Sequence, residues 1–276
     1  MMTANFAPLK IAAIGAVLLL AGLFYAGVHA APRRESRAGG NGAVRTPVLV
    51  ELFTSEGCSS CPPADALLEK LDRTQPVGTA DIVVLSEHVD YWNDLGWRDP
   101  FSSRAISERQ EAYAAGDLQG TVYTPQMVVD GRFGSVGSDE QRAREAIETA
   151  AREHKPALVL SSVAFGDTGA LVARVDAGPL PAAAGAVVAD VLIAVADESD
   201  ESQVLAGEND GRKLTHVAVL RSLTKSGVVS KSAGWSGDVK IPLERPGRKA
   251  LRVVAIVQTP AGRVWGVASV RIPASR

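Results

Sequence analysis

Two cysteines are the residues of this sequence with the clearest chemical potential. Cys58 and Cys61 are the two cysteines among the 276 residues, and two serines separate them in a Cys-x-x-Cys spacing. A disulfide between them closes too small a loop to stabilise a fold much, because the entropic gain rises with loop length. The spacing therefore favours thiol–disulfide exchange, in which one thiolate attacks a disulfide and the second resolves the mixed disulfide.

The flanking residues predict the elements that position this pair. An apolar run from Val48 to Thr54 indicates a buried strand, and apolar residues at helical intervals follow the cysteines: Ala64, Leu67, Leu68 and Leu71. Pro62 and Pro63 suit the first turn of a helix, where N–H groups lack intrahelical acceptors. Cys58 is then at the start of a helix, whose dipole favours the thiolate, and is the expected nucleophile.

Two further residues could assist the cysteines. Glu51 interrupts the apolar strand, so it is either a carboxylate that reaches solvent or a Lys or Arg partner, or a buried proton acceptor behind the cysteines. His88 follows the second predicted strand and is either an ordinary hydrogen-bonding histidine, a base that tunes Cys58, or a ligand that joins both sulfurs in a Cu(I) site.

A structural zinc site is not expected. Such a site needs four ligands, and the sequence has no second Cys-x-x-Cys and no His-x-x-His spacing. No metal and no organic cofactor are therefore predicted. The formal net charge of −2 and the absence of a basic, aromatic-rich patch argue against nucleic acid as a partner.

The N-terminal residues predict export. Lys10 precedes an apolar run over residues 11–28, and Val28-His29-Ala30 has the pattern of a signal peptidase site, so residues 1–30 are a signal peptide or an uncleaved N-terminal anchor. The expected location is periplasmic or secreted. Residues 31–46 are polar and Gly-rich and predict a flexible linker.

The chain up to residue 154 predicts an α/β domain. A second buried strand at 81–86 completes a βαβ unit. Asp99 and Pro100 are suited to begin a helix that ends near Ala115. Asp130-Gly131 predicts a hairpin turn, and Ser138 with Gln141 predicts a capped helix that ends near Glu153. The aromatic loop between the second strand and Asp99 is either a packed cap or a ligand platform.

Residues 157–276 have a different pattern and predict a second domain. Seven short runs rich in Val, Leu and Ala are separated by turn residues, which predicts an antiparallel β-sandwich. The runs are 157–164, 171–175, 187–195, 214–223, 239–243, 251–258 and 264–272. Asn209 and His216 are expected to be a turn residue and a strand histidine that hold this sandwich together.

The chain resembles the exported DUF1223 family, which carries a thioredoxin-like domain. The similarity rests on residues 50–65 around the cysteines, 88–97, 123–126, and 207–216. It implies a thioredoxin-like fold over 47–154, the cysteine pair at Cys58 and Cys61, and Thr124-Pro125 at the substrate-facing cis-proline position. The chain departs from thioredoxin in having no Trp before Cys58, Ser-Ser between the cysteines, and an insertion at 87–120.

The expected function is that of an exported thiol–disulfide oxidoreductase. Its catalytic residues are Cys58 and Cys61, its substrate-binding residues are Thr124 and Pro125, and its partners are exported proteins with thiols or disulfides, or a membrane redox protein. Two alternatives stay open: a copper-handling module in which His88 joins the cysteines, and a non-catalytic interaction protein.

Overall fold

A computed structural model describes residues 44–118, 120–166, 170–243 and 249–274. The predicted signal peptide or anchor and nearly all of the predicted linker lie outside the described residues. In the part of the chain that the structure describes, no helix is both long enough and apolar enough to cross a membrane. The described residues belong to one compact unit.

The first half contains the predicted order of strands and helices. The elements are β1 (Thr46–Thr54), α1 (Pro62–Thr74), β2 (Ala80–His88), α2 (Arg104–Ala115), β3 (Gln126–Val129), β4 (Phe133–Val136) and α3 (Glu140–Ala151). The apolar residues predicted to face inward from α1 are all buried.

The second half is built of strands alone among its described residues. They are β5 (Leu158–Phe165), β6 (Leu171–Ala177), β7 (Val188–Gln203), β8 (Lys213–Ser230), β9 (Trp235–Ile241), β10 (Leu251–Gln258) and β11 (Val264–Ile272). Each of the seven predicted runs overlaps one strand, although β7 and β8 are longer than predicted and β9 begins and ends earlier.

One large sheet joins the two halves. Its strand order is β11-β10-β7-β8-β2-β1-β3-β4, while β5, β6 and β9 form a separate three-stranded sheet. β1 is parallel to β2 and antiparallel to β3, and β8 joins β2 through the parallel pair of Ser86 and Val219. The chain is therefore a mixed α/β protein dominated by strands, and strands from both sides of the predicted boundary near residue 154 share its large sheet.

The strands of the second half can serve both sheets because they are apolar on both faces. In β10, Val253 and Ala255 pack in the core shared with the three-stranded sheet, whereas Val254 and Ile256 pack in the core of β1 and β2. A strand that buries both faces reads as a continuous apolar run. Such a run does not predict which of two cores each face of the strand will join.

The helices lie on two sides of β1. Lys70 of α1 and Glu140 of α3 form an ion pair of 2.7 Å, which places these two helices side by side. On the opposite face, the ring centroids of Phe53 in β1 and Tyr113 in α2 are 6.0 Å apart.

Two helix starts differ from the sequence prediction. α2 begins at Arg104 and not at Pro100, because the backbone of Ser103 before it is extended; the carboxylate of Asp99 bonds to His88. α3 is capped by Asp139, whose side chain accepts a hydrogen bond from the N–H of Arg142, and not by Ser138.

The predicted hairpin turn is confirmed. Asp130 and Gly131 both have positive φ angles, of 48° and 67°. A Cβ at Gly131 would collide with the carbonyl oxygen of Gly262 in the β10–β11 turn. A glycine is therefore needed at this position both for the turn and for the close contact with the second half.

Candidate active site

The two cysteines form a disulfide at the start of α1. Cys58 and Cys61 have Cα atoms 5.4 Å apart, and Cys61 is the N-cap residue of the helix. Both cysteines are completely buried, whereas Ser59 and Ser60 between them are exposed. The backbone of the loop is therefore at the surface and the sulfur atoms lie beneath it.

The helix offers the sulfur atoms little direct hydrogen bonding. Pro62 and Pro63 occupy the first turn and have no N–H, and the N–H of Cys61 donates to the carbonyl of Cys58 at 3.1 Å. A thiolate at Cys58 would then be stabilised mainly by the helix dipole and by neighbouring side chains.

A loop of the second half holds the cysteine loop in place. The side-chain amide of Asn209 donates to the carbonyls of Glu56 and Cys58, at 2.8 and 2.9 Å. Arg212 orients that amide by donating to its oxygen at 2.8 Å. Glu208 accepts a hydrogen bond of 2.9 Å from the N–H of Ser59, which lowers the pKa of the Glu208 carboxyl.

Glu56 is the centre of a buried group beside the disulfide. Its carboxylate is completely buried and accepts hydrogen bonds from Trp97 at 2.8 Å, from the hydroxyl of Ser202, and from Nε2 of His216 at 3.2 Å. The other ring nitrogen of His216, Nδ1, faces Oδ1 of Asp65 at 3.8 Å. His216 thus lies between a carboxylate that precedes the cysteines and one that follows them.

His216 carries a positive charge at neutral pH. Burial lowers its pKa, but the facing carboxylates of Asp65 and Glu56 outweigh burial and raise the pKa from 6.5 to about 10. The protonated ring compensates two buried carboxylates, which would otherwise cost much free energy to bury.

His88 and Asp99 lie against this group. Nδ1 of His88 is 2.7 Å from Oδ2 of Asp99, Nε2 is 3.2 Å from the hydroxyl of Ser86, and the ring centroid is 4.6 Å from that of His216. Burial raises the pKa of Asp99, but His88 and the N–H groups of Glu56 and Phe101 lower it more, so its net direction is downward. We call Glu56, Asp65, His88, Asp99 and His216 the cysteine-loop cluster.

The structure does not bring His88 to the sulfur atoms as a metal ligand. Both of its ring nitrogens already face Asp99 and Ser86. Among the described residues, no group of three or more His, Cys, Asp or Glu side chains is arranged to hold a metal ion.

Glu51 belongs to a second buried group, on the α2 side of β1. It pairs with the guanidinium of Arg109 and accepts a hydrogen bond of 2.6 Å from Tyr113. Glu87 lies 3.3 Å from the same guanidinium, and burial raises its pKa well above the usual value. Glu51 therefore fits the first of its two interpretations, a carboxylate with a Lys or Arg partner. Arg109 also donates to the side-chain oxygen of Gln258 at 2.9 Å. We call Glu51, Glu87, Arg109, Tyr113 and Gln258 the arginine cluster.

Trp92 connects Thr124 and Pro125 to the cysteine loop. Their peptide bond is cis, as the resemblance implied. The indole N–H of Trp92 donates to the hydroxyl of Thr124 at 2.8 Å, and a Cβ at Gly57 would be 3.4 Å from the Cβ of Trp92. Trp92 therefore contacts both the cysteine loop and the threonine.

Two loops that both contact the cysteine loop also pack against each other. Gly96 of the aromatic loop and Gly207 approach so closely that a Cβ at Gly96 would be 3.3 Å from Gly207, and a Cβ at Gly207 would be 3.2 Å from Trp97. Leu95 and Leu205 on these loops are exposed. The predicted aromatic loop is thus a packed cap whose indole N–H groups bond to Glu56 and Thr124.

Asn209 lies in a turn and His216 in a strand, as predicted, but their contacts extend beyond the strands of the second half. Both contact the cysteine loop and its carboxylates instead of serving only to hold strands together. The signal that could have located them is chemical: an uncompensated Glu56 and Asp65 on either side of a Cys-x-x-Cys pair need a cation.

The fold and the site define a mixed α/β protein with a Cys-x-x-Cys disulfide at the start of a helix. The chain belongs to the family described as protein of unknown function (DUF1223), whose profile matches residues 49–258. No functionally curated protein matches it significantly.

Two solved structures are similar to this chain. An X-ray crystal structure of a protein from Agrobacterium tumefaciens has 26% sequence identity and a TM-score of 0.63, and the match covers 85% of this chain and 97% of that one. HBP35 of Porphyromonas gingivalis has 14% identity and a TM-score of 0.58, with 83% of this chain and 76% of that one covered. The second likeness concerns the fold alone.

Proposed function

We propose that this protein is an exported thiol–disulfide oxidoreductase and that residues 47–154 form a thioredoxin-like domain. The order β1, α1, β2, α2, β3, β4, α3 and the strand order β2-β1-β3-β4 support that domain. Residues 157–276 are proposed to be a sandwich-like second domain, supported by the core between the three-stranded sheet and β7 and β10.

The observation that carries the proposal is the Cys58–Cys61 disulfide at the N-terminus of α1, held by side chains from distant parts of the chain. A disulfide that closes so short a loop adds little to stability. The buried charges and amide that surround it are better explained by the need to hold two sulfur atoms in a reactive geometry.

The exchange proceeds in two steps. With the pair oxidised, a substrate thiolate attacks Sγ of Cys58, and the electron pair of the broken S–S bond leaves with Cys61 as a thiolate. A second substrate thiolate then attacks the substrate sulfur and releases Cys58. Two electrons pass from the substrate dithiol to the cysteine pair, and the reverse sequence reduces a substrate disulfide through the Cys58 nucleophile.

Thr124 and Pro125 are proposed to align the substrate. Within the described residues, neither the N–H nor the C=O of Thr124 has a hydrogen-bond partner, and its side chain is half-buried beside Trp92. An extended segment of a partner protein can pair with such free backbone groups. The proposed partners are exported proteins with thiols or disulfides, or a membrane redox protein.

The proposal is tested by trapping partners in cells. Cys61→Ser should accumulate mixed disulfides through Cys58, because the resolving thiol is gone. The double variant with Cys58→Ser is the matched control and should trap nothing.

The purified wild type should also exchange with a small dithiol. Failure of both the trapping and the exchange would overturn the proposal. Cu(I) binding that depends on His88 and occurs without any trapping would instead favour the copper-handling alternative.

A further inference from the structure

A charged cleft lies between α1 and the paired strands β7 and β8. It has a volume of about 880 Å³, and neither cysteine is among its lining residues. Glu69 and Arg73 line it from α1 and are exposed, whereas Asp200 of β7 and His216 of β8 line it and are buried. Asp200 and His216 are directly opposite each other in the register of the two strands, so their side chains share one face of the sheet. The buried pair is the floor of the cleft, and the residues of α1 are at its mouth.

Asp200 has a carboxylate oxygen without a partner. Its side chain has an exposed fraction of 5%. Oδ1 accepts a hydrogen bond from the ammonium of Lys249, but within the described residues Oδ2 has no hydrogen-bond partner. A buried acceptor that lacks a donor is costly in free energy. The free oxygen therefore favours a ligand that brings a donor into the cleft.

The ammonium of Lys249 does not neutralise the acidic groups around Asp200. It faces Asp200 and also Oδ2 of Asp197 at 3.4 Å, so two carboxylates share one cation. Burial and the nearby Asp200 raise the pKa of Asp197 more than Lys249 and Arg221 lower it. Two neighbouring carboxylates of this kind favour a further positive charge.

The remaining charged groups of the cleft differ in how they are paired. Arg271 pairs with Asp72 and Glu198, at 2.7 and 2.9 Å, so these three are satisfied within the chain. Glu69 and Arg73 have no ion-pair partner among the described residues, and both are exposed. An exposed charge is solvated and needs no partner, whereas the buried oxygen of Asp200 does. The floor of the cleft therefore decides the charge of the ligand, which is positive.

We propose that this cleft binds a guanidinium group, with Asp200 as its main acceptor and Glu69 as a second one at the mouth. A guanidinium has five N–H donors in a planar fork, so it can bond to more than one acceptor at once. It is also more weakly hydrated than an ammonium group, which lowers the cost of entering a partly buried site. The group can belong to a free guanidino compound or to an arginine side chain of a partner protein. This site is separate from the cysteine pair and does not depend on the proposed function.

Calorimetric titration of the oxidised full-length protein at low ionic strength tests the site. The probes are methylguanidine, which represents a free compound, and a blocked pentapeptide with a central arginine between glycines, which represents a protein segment. The wild type should bind guanidinium, and tighter binding of the peptide than of methylguanidine would identify a protein segment as the source. The same peptide with citrulline, which is neutral and of similar shape, should bind at least about tenfold more weakly, because the charge-assisted hydrogen bonds are lost.

Three variants locate the binding in the cleft. Asp200→Asn should weaken binding about tenfold or more, because it removes the charge of the main acceptor. Glu69→Gln should weaken it about twofold, since an exposed charge contributes little, and this exposed change does not endanger folding. Arg73→Gln is the matched control on the same helix; it removes a cation and should bind guanidinium at least as tightly as the wild type.

The proposal is overturned if the wild type binds neither arginine probe, or if it binds the citrulline peptide equally well. It is also overturned if Asp200→Asn, shown to be folded by thermal denaturation, binds as the wild type does, or if Arg73→Gln loses as much affinity as Asp200→Asn. None of these measurements involves thiol–disulfide exchange, so failure of the proposed function would leave their outcome unchanged.

Discussion

The arginine cluster and the cysteine-loop cluster are both buried groups of charged side chains, but they are built differently. The arginine cluster lies on strands and one helix, and its guanidinium contacts two carboxylates at once. In the cysteine-loop cluster, Glu56 and Asp99 lie on loops. Asp65 and His216 are 3.8 Å apart, which is too far for a hydrogen bond.

The difference shows that a perturbed pKa alone does not locate an active site. The pKa of Glu87 is raised as clearly as that of His216, yet Glu87 lies on the α2 side of the sheet with Arg109. Structural ion-pair networks perturb pKa values as active sites do. What distinguishes the cysteine-loop cluster is its position beside the disulfide and its incompletely bonded atoms.

Loss of Arg109 should have the largest effect on stability. Arg109→Leu leaves Glu51 buried without its cation, and breaking a buried ion pair in this way costs about 3–5 kcal/mol. Chemical denaturation measures the change, and Arg104→Leu, which removes a largely exposed arginine of the same helix, is the control. If the two variants lose the same small amount, the arginine cluster does not stabilise the fold as argued.

The charge of His216 should make stability depend on pH. Because its folded pKa of about 10 lies above the unfolded value of 6.5, its contribution is fully present below pH 6.5 and is lost as pH rises through 10. The free energy of unfolding should fall between these values by at most about 1.4 kcal/mol per pH unit.

The His216 prediction is checked by denaturation of the oxidised protein at several pH values. His216→Asn should show a flatter curve over the same interval, since the titrating ring is gone. Parallel curves for the wild type and the variant would contradict the charged state assigned to His216.

Asn209 should hold the cysteine loop closed. Asn209→Ala leaves the carbonyls of Glu56 and Cys58 without a donor, which costs about 1–3 kcal/mol, and the disulfide should be reduced faster by a small dithiol. Asp210→Ala changes the exposed neighbour in the same turn and should leave both quantities unchanged. Equal reduction rates for the two variants would show that Asn209 does not restrain the loop.

Glu87 should give the smallest effect. Because burial raises its pKa, this carboxyl stays protonated over more of the pH range, and Glu87→Gln replaces it with a neutral side chain of similar shape. A carboxyl whose pKa is higher in the folded than in the unfolded state makes the protein less stable as pH rises above its unfolded pKa of about 4.5. The variant should lack that decline and should be at least as stable as the wild type at pH 7. Denaturation from pH 5 to 8 tests this, and a clear loss of stability in Glu87→Gln would mean that Glu87 is needed as an anion.

The sequence predicted local structure well because local rules decide it. The helical spacing of Leu67 and Leu71 predicted the buried face of α1, and Asp130-Gly131 predicted the hairpin. The contacts of Asn209 and His216 with the cysteine loop were missed because they join residues about 150 positions apart. Nothing in the local pattern of a strand or a turn identifies a partner so far along the chain.

The place of β8 in the large sheet was missed for a similar reason. An apolar strand can pair with any free edge, and no residue pattern in β8 identifies β2 as its neighbour. In the structure the pair of Ser86 and Val219 makes this connection, and it brings His216 to the cluster.

The position of β8 beside β2 also determines when the site is assembled during synthesis. A chain interrupted near residue 154 would have the cysteine loop but neither Asn209 nor His216, and it would lack the strand that pairs with β2. An unpaired strand edge is prone to associate with other chains. The contacts that surround Cys58 and Cys61 are therefore completed late, once more than three quarters of the chain has been made.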